Sequence, residues 1–276
     1  MDRVFLRSQF AVYYRRARRL RLTSEARPDY ALIIPLEGRL TATVSGEEIK
    51  AVPHVALLFN PGLAFSAASR EETAVLMLTL APAFVLDLAA RLRLTLSGAT
   101  VMFSSERVER DERLAQLARD LTSELIEAEA GQDVVITAQV EQMLVHLLRH
   151  HANVRRSDEL ELSRVGLVDR RIRRAVEMMH AHMDRELPIE ELASAAYLSP
   201  FHFARLFKKL TGASPHAYLA SLRVQRAQQL LAETDLSISE LSARVGYSSP
   251  SHFSKAFRQS TGLTPRAFRA SLVSRD

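Results

Sequence analysis

The chain contains no cysteine among its 276 residues. That absence excludes disulfides, cysteine-ligated zinc and thiol nucleophiles together. Histidine is scarce where a metal-dependent β-barrel enzyme would need it: residues 1 to 100 hold only His54. One imidazole cannot hold iron, manganese or zinc. No apolar run is long enough to span a membrane. The opening MDRVFLRSQF is broken by charges and has no apolar core after it, so no signal peptide is expected, and a cytoplasmic protein is. Excess charge of one sign is nearly missing from the first part of the chain. The formal net charge is +5, yet from Asp169 onward 16 Lys+Arg stand against 10 Asp+Glu, which leaves −1 for everything before. The positive excess therefore sits C-terminally, where a polyanion would bind.

What is present is a repeat. SPFHFARLFKKLTG, Ser199 to Gly212, returns as SPSHFSKAFRQSTG, Ser249 to Gly262. At an offset of fifty, Ser199, Pro200, His202, Phe203, Phe207, Thr211 and Gly212 meet identical residues, and Pro215 and Ala217 meet Pro265 and Ala267. Arg205 meets Lys255 and Lys208 meets Arg258, so charge is kept where identity is not. Each copy opens with Ser-Pro, an N-cap followed by proline at the first helical position. Each closes at Thr-Gly, where glycine can take the left-handed conformation that ends a helix.

Phe203, Leu206, Phe207 and Leu210 form the inner stripe of the first helix, and Phe253, Ala256 and Phe257 that of the second. The outer faces are short, polar and basic: Phe201, Arg205 and Lys208, flanked by His202, Ala204 and Lys209, and Ser251, Lys255 and Arg258, flanked by His252 and Ser254. A short helix precedes each, Ile189–Ala196 and Ile238–Gly246. Helix, tight turn and basic helix make a helix-turn-helix unit, whose second helix enters the major groove of DNA. Two solvated helical hairpins are the plainer alternative, but two copies at one spacing, basic on the same face, favour DNA.

Residues from about 170 to 272 resemble the DNA-binding domain of the AraC/XylS family of transcription regulators. The resemblance is carried by LASAAYLSPFHFARLFKKLTGASPHAYL, the connecting RVQRAQQLLAET, and VGYSSPSHFSKAFRQSTGLTPRAFR. Gly246-Tyr247, Phe253, Phe257, Gly262, Pro265 and Arg269 are its most diagnostic residues. The first turn departs from the second: it has Ala196-Tyr197 without glycine and is one residue shorter. The lack of cysteine argues against DNA-repair methyltransferases that carry a similar domain.

Upstream, Tyr30–Leu36, Val55–Phe59 and Ala74–Leu80 read as buried strands, and Leu40, Ala42 and Val44 alternate with polar residues as a half-buried strand does. Gly38, Gly46 and Asn60-Pro61-Gly62 supply turns. Short strands at this spacing suggest a small barrel or jelly roll. Their order resembles the cupin-like ligand-sensing domain of the same family. The basic run Tyr13–Arg21 could meet an anionic effector or form one solvated strand face. Helices are expected from Pro82, over Arg110–Glu129 and over Val134–His151, the last two resembling the family's dimerisation element. His146 and His150 share a helix face, but no carboxylate stands at helical spacing, so a solvated helix end is expected instead of a metal site.

The expected architecture is thus α+β. An N-terminal cupin-like β-barrel with two helices (residues 1–151) precedes a linker (152–168) and an all-α domain with two helix-turn-helix units (169–276). Pro215–Thr234 forms the connecting helix. Base reading is assigned to Phe201, His202 and Arg205 in the first helix and Ser251, His252, Ser254 and Lys255 in the second. Lys208, Lys209 and Arg258 are assigned to the DNA backbone. Double-stranded DNA is the partner. The resemblance implies RNA polymerase, a homodimer, a possible small-molecule effector, and activation of transcription, with no enzyme activity and no cofactor. The competing classes are a non-specific architectural protein and an enzyme with a DNA-binding tail.

Overall fold

The computed structural model describes residues 1–24, 28–94, 100–127, 129–155 and 170–273. Its first half holds nine consecutive strands: β1 Asp2–Leu6, β2 Phe10–Ala17, β3 Arg21–Ser24, β4 Tyr30–Glu37, β5 Leu40–Val44, β6 Glu47–Ala51, β7 Val55–Phe59, β8 Phe65–Ala68 and β9 Thr73–Leu80. Then follow α1 Pro82–Arg91, β10 Thr100–Phe103, β11 Arg107–Glu109, α2 Glu112–Glu127, α3 Gln132–His150 and β12 Ala152–Arg155. The strands form a six-stranded sheet in the order β1-β2-β9-β4-β7-β11, a four-stranded sheet β3-β8-β5-β6, and the pair β10-β12. Every strand pairing is antiparallel.

The expected barrel is present as two open sheets, not as a closed ring. Strands β1 and β11 end one sheet, β3 and β6 the other, and among the described residues no hydrogen-bonded ladder joins them. The β1 edge is instead partly covered by the end of the described chain, where Val273 N–H donates to Val4 O at 2.9 Å. Covering an edge in this way blocks stray strand pairing.

Hydrophobic patterning explains the layers. Strand β4 reads as a nearly unbroken apolar run because both its faces are buried. Tyr30, Leu32 and Ile34 face one core, with Leu76 and Leu78 of β9 and the inner stripes of α1, α2 and α3. Ala31 and Ile33 face the other core, with Leu40, Ala42 and Val44 of β5. The Tyr30 hydroxyl is satisfied by donating to Val101 O at 2.7 Å, as a buried phenol requires. Strand β5 alternates because only one of its faces is covered.

Helix boundaries follow capping chemistry. The sequence starts α2 at Arg110, but Arg110 has φ 55, so the helix begins after Asp111, whose Oδ1 accepts from Leu114 N–H at 2.9 Å. The stripes of α2 and α3 pack on their own sheet through Leu117, Leu121, Val140 and Leu147. The first four residues of the expected linker form β12, paired with β10; residues 156–168 lie outside the described residues.

The C-terminal part is helical throughout: α4 Arg170–Ala181, α5 Ile189–Ala195, α6 Pro200–Thr211, α7 Pro215–Glu233, α8 Ile238–Arg244, α9 Pro250–Thr261 and α10 Pro265–Ser271. Its helices serve two different cores. Ile172, Met179, Leu192, Phe203, Phe207 and Leu222 form a cluster of their own. Val224, Leu241, Phe253, Phe257 and Phe268 instead join the second core of the β-sheets, beside Tyr13, Leu22 and Phe65. The second helix-turn-helix unit is thus built into the strand domain, while the first has a separate core.

Candidate nucleic-acid interface

The repeat seen in the sequence is a repeat in structure. Ser199 and Ser249 cap α6 and α9, each with its side chain accepting from the backbone N–H three residues on, His202 and His252. Pro200 and Pro250 occupy the first helical turn. Gly212 and Gly262 close the helices at φ 78 in both, with their N–H groups donating to Lys208 O and Arg258 O. Only glycine takes that conformation without steric cost. Thr211 and Thr261 each donate to the carbonyl four residues back, Phe207 O at 2.8 Å and Phe257 O at 2.9 Å. The aromatic interiors match as well. Phe203, Phe207 and Tyr218 pack tilted or edge-to-face in sequence at 5.4 and 5.3 Å, and Phe253, Phe257 and Phe268 do so at 5.6 and 5.2 Å.

With the phenylalanines turned inward, the opposite faces are left for solvent. Phe201, His202, Arg205, Lys208 and Lys209 are exposed on α6, and Ser251, His252, Lys255 and Arg258 on α9, with Ser254 half-buried. Phe201 is 73% exposed, an unusual position for a phenylalanine that none of the described residues covers. His202 is oriented by its Nδ1, 3.0 Å from the Ser199 hydroxyl, and His252 by the Tyr247 ring, 5.5 Å away.

The two units are held together by α7 and by one close approach. Helix α7 has 19 residues, which makes it about 28 Å long. Gly246, in the turn after α8, has φ 81, and a Cβ there would stand 2.2 Å from Met183 O, in the segment before α5. Arg223 of α7 seals this contact. Its Nε donates to Met183 O at 2.8 Å, its Nη2 to Arg185 O at 2.6 Å, and its guanidinium lies 5.4 Å from the Tyr247 ring centroid. Burial pushes the Arg223 pKa down.

Sequence reasoning missed three features. Tyr197 follows the C-cap of α5 at φ 54, the place Gly246 takes after α8, and its ring is 77% exposed with the Arg174 guanidinium 5.4 Å from its centroid. The missing glycine of the first turn was the available signal. Arg15, within the basic run Tyr13–Arg21, turns inward beneath the end of α9 and pairs with Asp2 at 3.5 Å. Burial lowers its pKa, Asp2 opposes this, and Arg258 adds to the lowering. Arg16, Arg18, Arg19 and Arg21 are exposed, so only part of the run is a solvated face. Finally, Gln228 of α7 donates to the Tyr13 hydroxyl of β2 at 2.8 Å, a buried bond across the domain seam. Beside it lies a cleft of about 340 Å³ lined by Phe5, Arg7, Tyr13, Gln225, Gln228 and Ser221 among others.

A strand-rich domain joined to paired helix-turn-helix units defines a DNA-binding regulator fold. Comparison with known proteins agrees. The family model for an AraC-binding-like domain matches residues 4–149, and that for a helix-turn-helix domain matches residues 192–271. The chain belongs to the AraC/XylS family of transcription regulators. The regulatory protein PocR of Salmonella typhimurium is 36% identical over 78 residues, 28% of this chain and 26% of its own length. The lactose operon transcription activator of Staphylococcus xylosus is 30% identical over 124 residues, 45% of this chain and 42% of its own. The match thus spans about a quarter and under half of these two relatives. The probable transcriptional regulator LumQ of Photobacterium leiognathi is 24% identical over 215 residues, covering 78% of this chain and 79% of LumQ. In fold, the chain is similar over 96% of its length to ToxT of Vibrio cholerae, with a TM-score of 0.63 and 13% identity to the unsaturated fatty acid-bound form, of which 96% is covered.

Proposed function

We propose that the chain is a sequence-specific regulator of transcription that lays α6 and α9 in consecutive major grooves. The observation that carries this reading is the pair of helices with identical caps and buried aromatic stripes, whose outer faces stand free and basic. Phe201, His202 and Arg205 read bases from α6, and Ser251, His252, Ser254 and Lys255 from α9. Arg205 is the strongest reader, because its fork can pair with both acceptors of guanine. Lys208, Lys209 and Arg258 hold phosphates and set the register. Tyr197 adds an aromatic contact at the same surface, and the cost of its left-handed backbone is typical of functional positions. Helix α7 sets the span: about 28 Å suits grooves about 34 Å apart. Residues 1–151 form the sensing domain and 169–276 the DNA-binding domain.

A small-molecule effector fits the cleft beside Gln228, since a ligand there would change the seam that fixes the second helix-turn-helix unit to the strands. The fatty acid-bound ToxT form supports an apolar ligand class. Family membership supports a homodimer through the outer faces of α2 and α3, contact with RNA polymerase, activation of transcription and a cytoplasmic location as parts of this proposal. Footprinting on genomic fragments tests the reading. A few discrete protected sites are expected; uniform coverage would mean an architectural protein that binds without sequence choice.

A further inference from the structure

Asp111 stands outside the DNA-reading surface. It follows the sharp turn at Arg110 and is fixed by Leu114 N–H, which donates to Oδ1 at 2.9 Å. Two imidazoles converge on it. His146 of α3 brings Nε2 to 3.0 Å from Oδ1 and 2.8 Å from Oδ2. His151, just past the end of α3, brings Nε2 to 2.6 Å from Oδ2. The three donor atoms lie within 4.8 Å of one another, and the side chains are 13%, 16% and 25% exposed for Asp111, His146 and His151. The sequence places His146 at a solvated helix end. The structure corrects this, because the antiparallel packing of α2 on α3 delivers a carboxylate from 35 residues away.

We propose that Asp111, His146 and His151 bind a divalent transition-metal ion of the zinc type. Two imidazole nitrogens and one carboxylate oxygen are a donor set that such ions take with one position left open. Donors at about 2.0–2.1 Å from a tetrahedral ion stand roughly 3.3 Å apart. The two imidazole–carboxylate separations of 2.6 to 3.0 Å need to open by about half an ångström, and the two imidazole nitrogens, within 4.8 Å of each other, need to settle at roughly 3.3 Å, through side-chain torsions. The Leu114 N–H plays the orienting part that outer partners play for metal-bound carboxylates. Both Nε2 atoms face the carboxylate, so binding an ion requires them to be unprotonated there, with any proton held on Nδ1 or released as the ion enters. A bound ion would fasten α2 and α3 to the start of β12, the last described strand before the helical domain.

The test is a cobalt titration of tag-free, chelator-stripped full chain, followed by displacement with zinc. One equivalent of Co²⁺ is expected to give the visible bands of a four-coordinate site, and one equivalent of Zn²⁺ to abolish them and raise Tm. Outer partners alone are worth about 10–100-fold in affinity, so His146→Gln and His151→Gln should each weaken binding by about a hundredfold or more. Asp111→Asn, which can still cap α2, should weaken it similarly. His180→Gln, exposed on α4, should change nothing. If a variant fails to fold, the unaltered chain still decides. No stoichiometric cobalt uptake, or uptake that survives both histidine substitutions, would reduce the cluster to a hydrogen-bonded staple and overturn the proposal. DNA binding is not read out, so failure here leaves the regulator reading untouched.

Discussion

Phe207 and Phe257 are a matched pair that the fold uses differently, and replacing each by alanine separates the two uses. Both side chains are fully buried. Each sits between two aromatic neighbours, Phe207 at 5.4 and 5.3 Å from Phe203 and Tyr218, Phe257 at 5.6 and 5.2 Å from Phe253 and Phe268. Truncating a buried phenylalanine costs about 3–5 kcal/mol. Against a total stability of about 5–15 kcal/mol, either change removes roughly a fifth or more of the whole. The consequences should travel differently. Phe207 shares a core with Ile172, Met179 and Leu192, so Phe207→Ala should loosen α4 to α6 and leave the strands alone. Phe257 shares a core with Tyr13, Leu22 and Phe65, so Phe257→Ala should loosen α8 to α10 and also lower protection in β2, β3 and β8. Hydrogen exchange of the full chain reads both. Identical patterns confined to the C-terminal helices in the two variants would refute the claim that the second unit shares its core with the sensing domain.

Other substitutions test the surface. Arg205→Ala should cost about 1–3 kcal/mol of DNA affinity and relax choice at one base position, as measured by binding to a panel of single-base variants of the site. An equal loss on every sequence would make Arg205 a phosphate contact. Lys208→Ala should weaken binding evenly and lower the slope of log affinity against log salt by about one. Tyr197→Gly relieves a left-handed residue, worth about 1–2 kcal/mol, while adding glycine's chain entropy of about 0.5–1 kcal/mol. Tm should hold or rise slightly while DNA affinity falls; unchanged affinity would remove Tyr197 from the interface.

The sequence made the repeat legible because its devices are local: Ser-Pro, Thr-Gly and the phenylalanine stripe act within one helix and its caps. Strands β4, β5 and β7 were legible from their apolar runs and alternation. Strand β2 was legible only as a solvated strand face within the run Tyr13–Arg21, whereas Tyr13 and Tyr14 are buried. Strand β12, only Ala152–Arg155, is too short for its alternation to announce it, and it exists by pairing with β10. The domain seam was invisible for a different reason. Phe253 and Phe257 already had an explanation as a hairpin core, so nothing in their spacing announced a second set of neighbours on β2, β3 and β8. Closure of the sheets depends on which edges pair across the molecule, which alternation along one strand does not encode. Asp111 and His146 are likewise joined only by helix packing.

The span set by α7 makes the central claim measurable. Once a preferred DNA site is known, inserting about five base pairs, half a duplex turn, between the segments protected by the two helices puts them on opposite faces. Affinity for the inserted site is expected to fall to that of a chain carrying Ser251→Glu and Lys255→Glu, in which α9 is disabled, and a full-turn insertion should not simply restore it, because the connector is stiff. Undiminished affinity for the half-turn insertion would contradict the account.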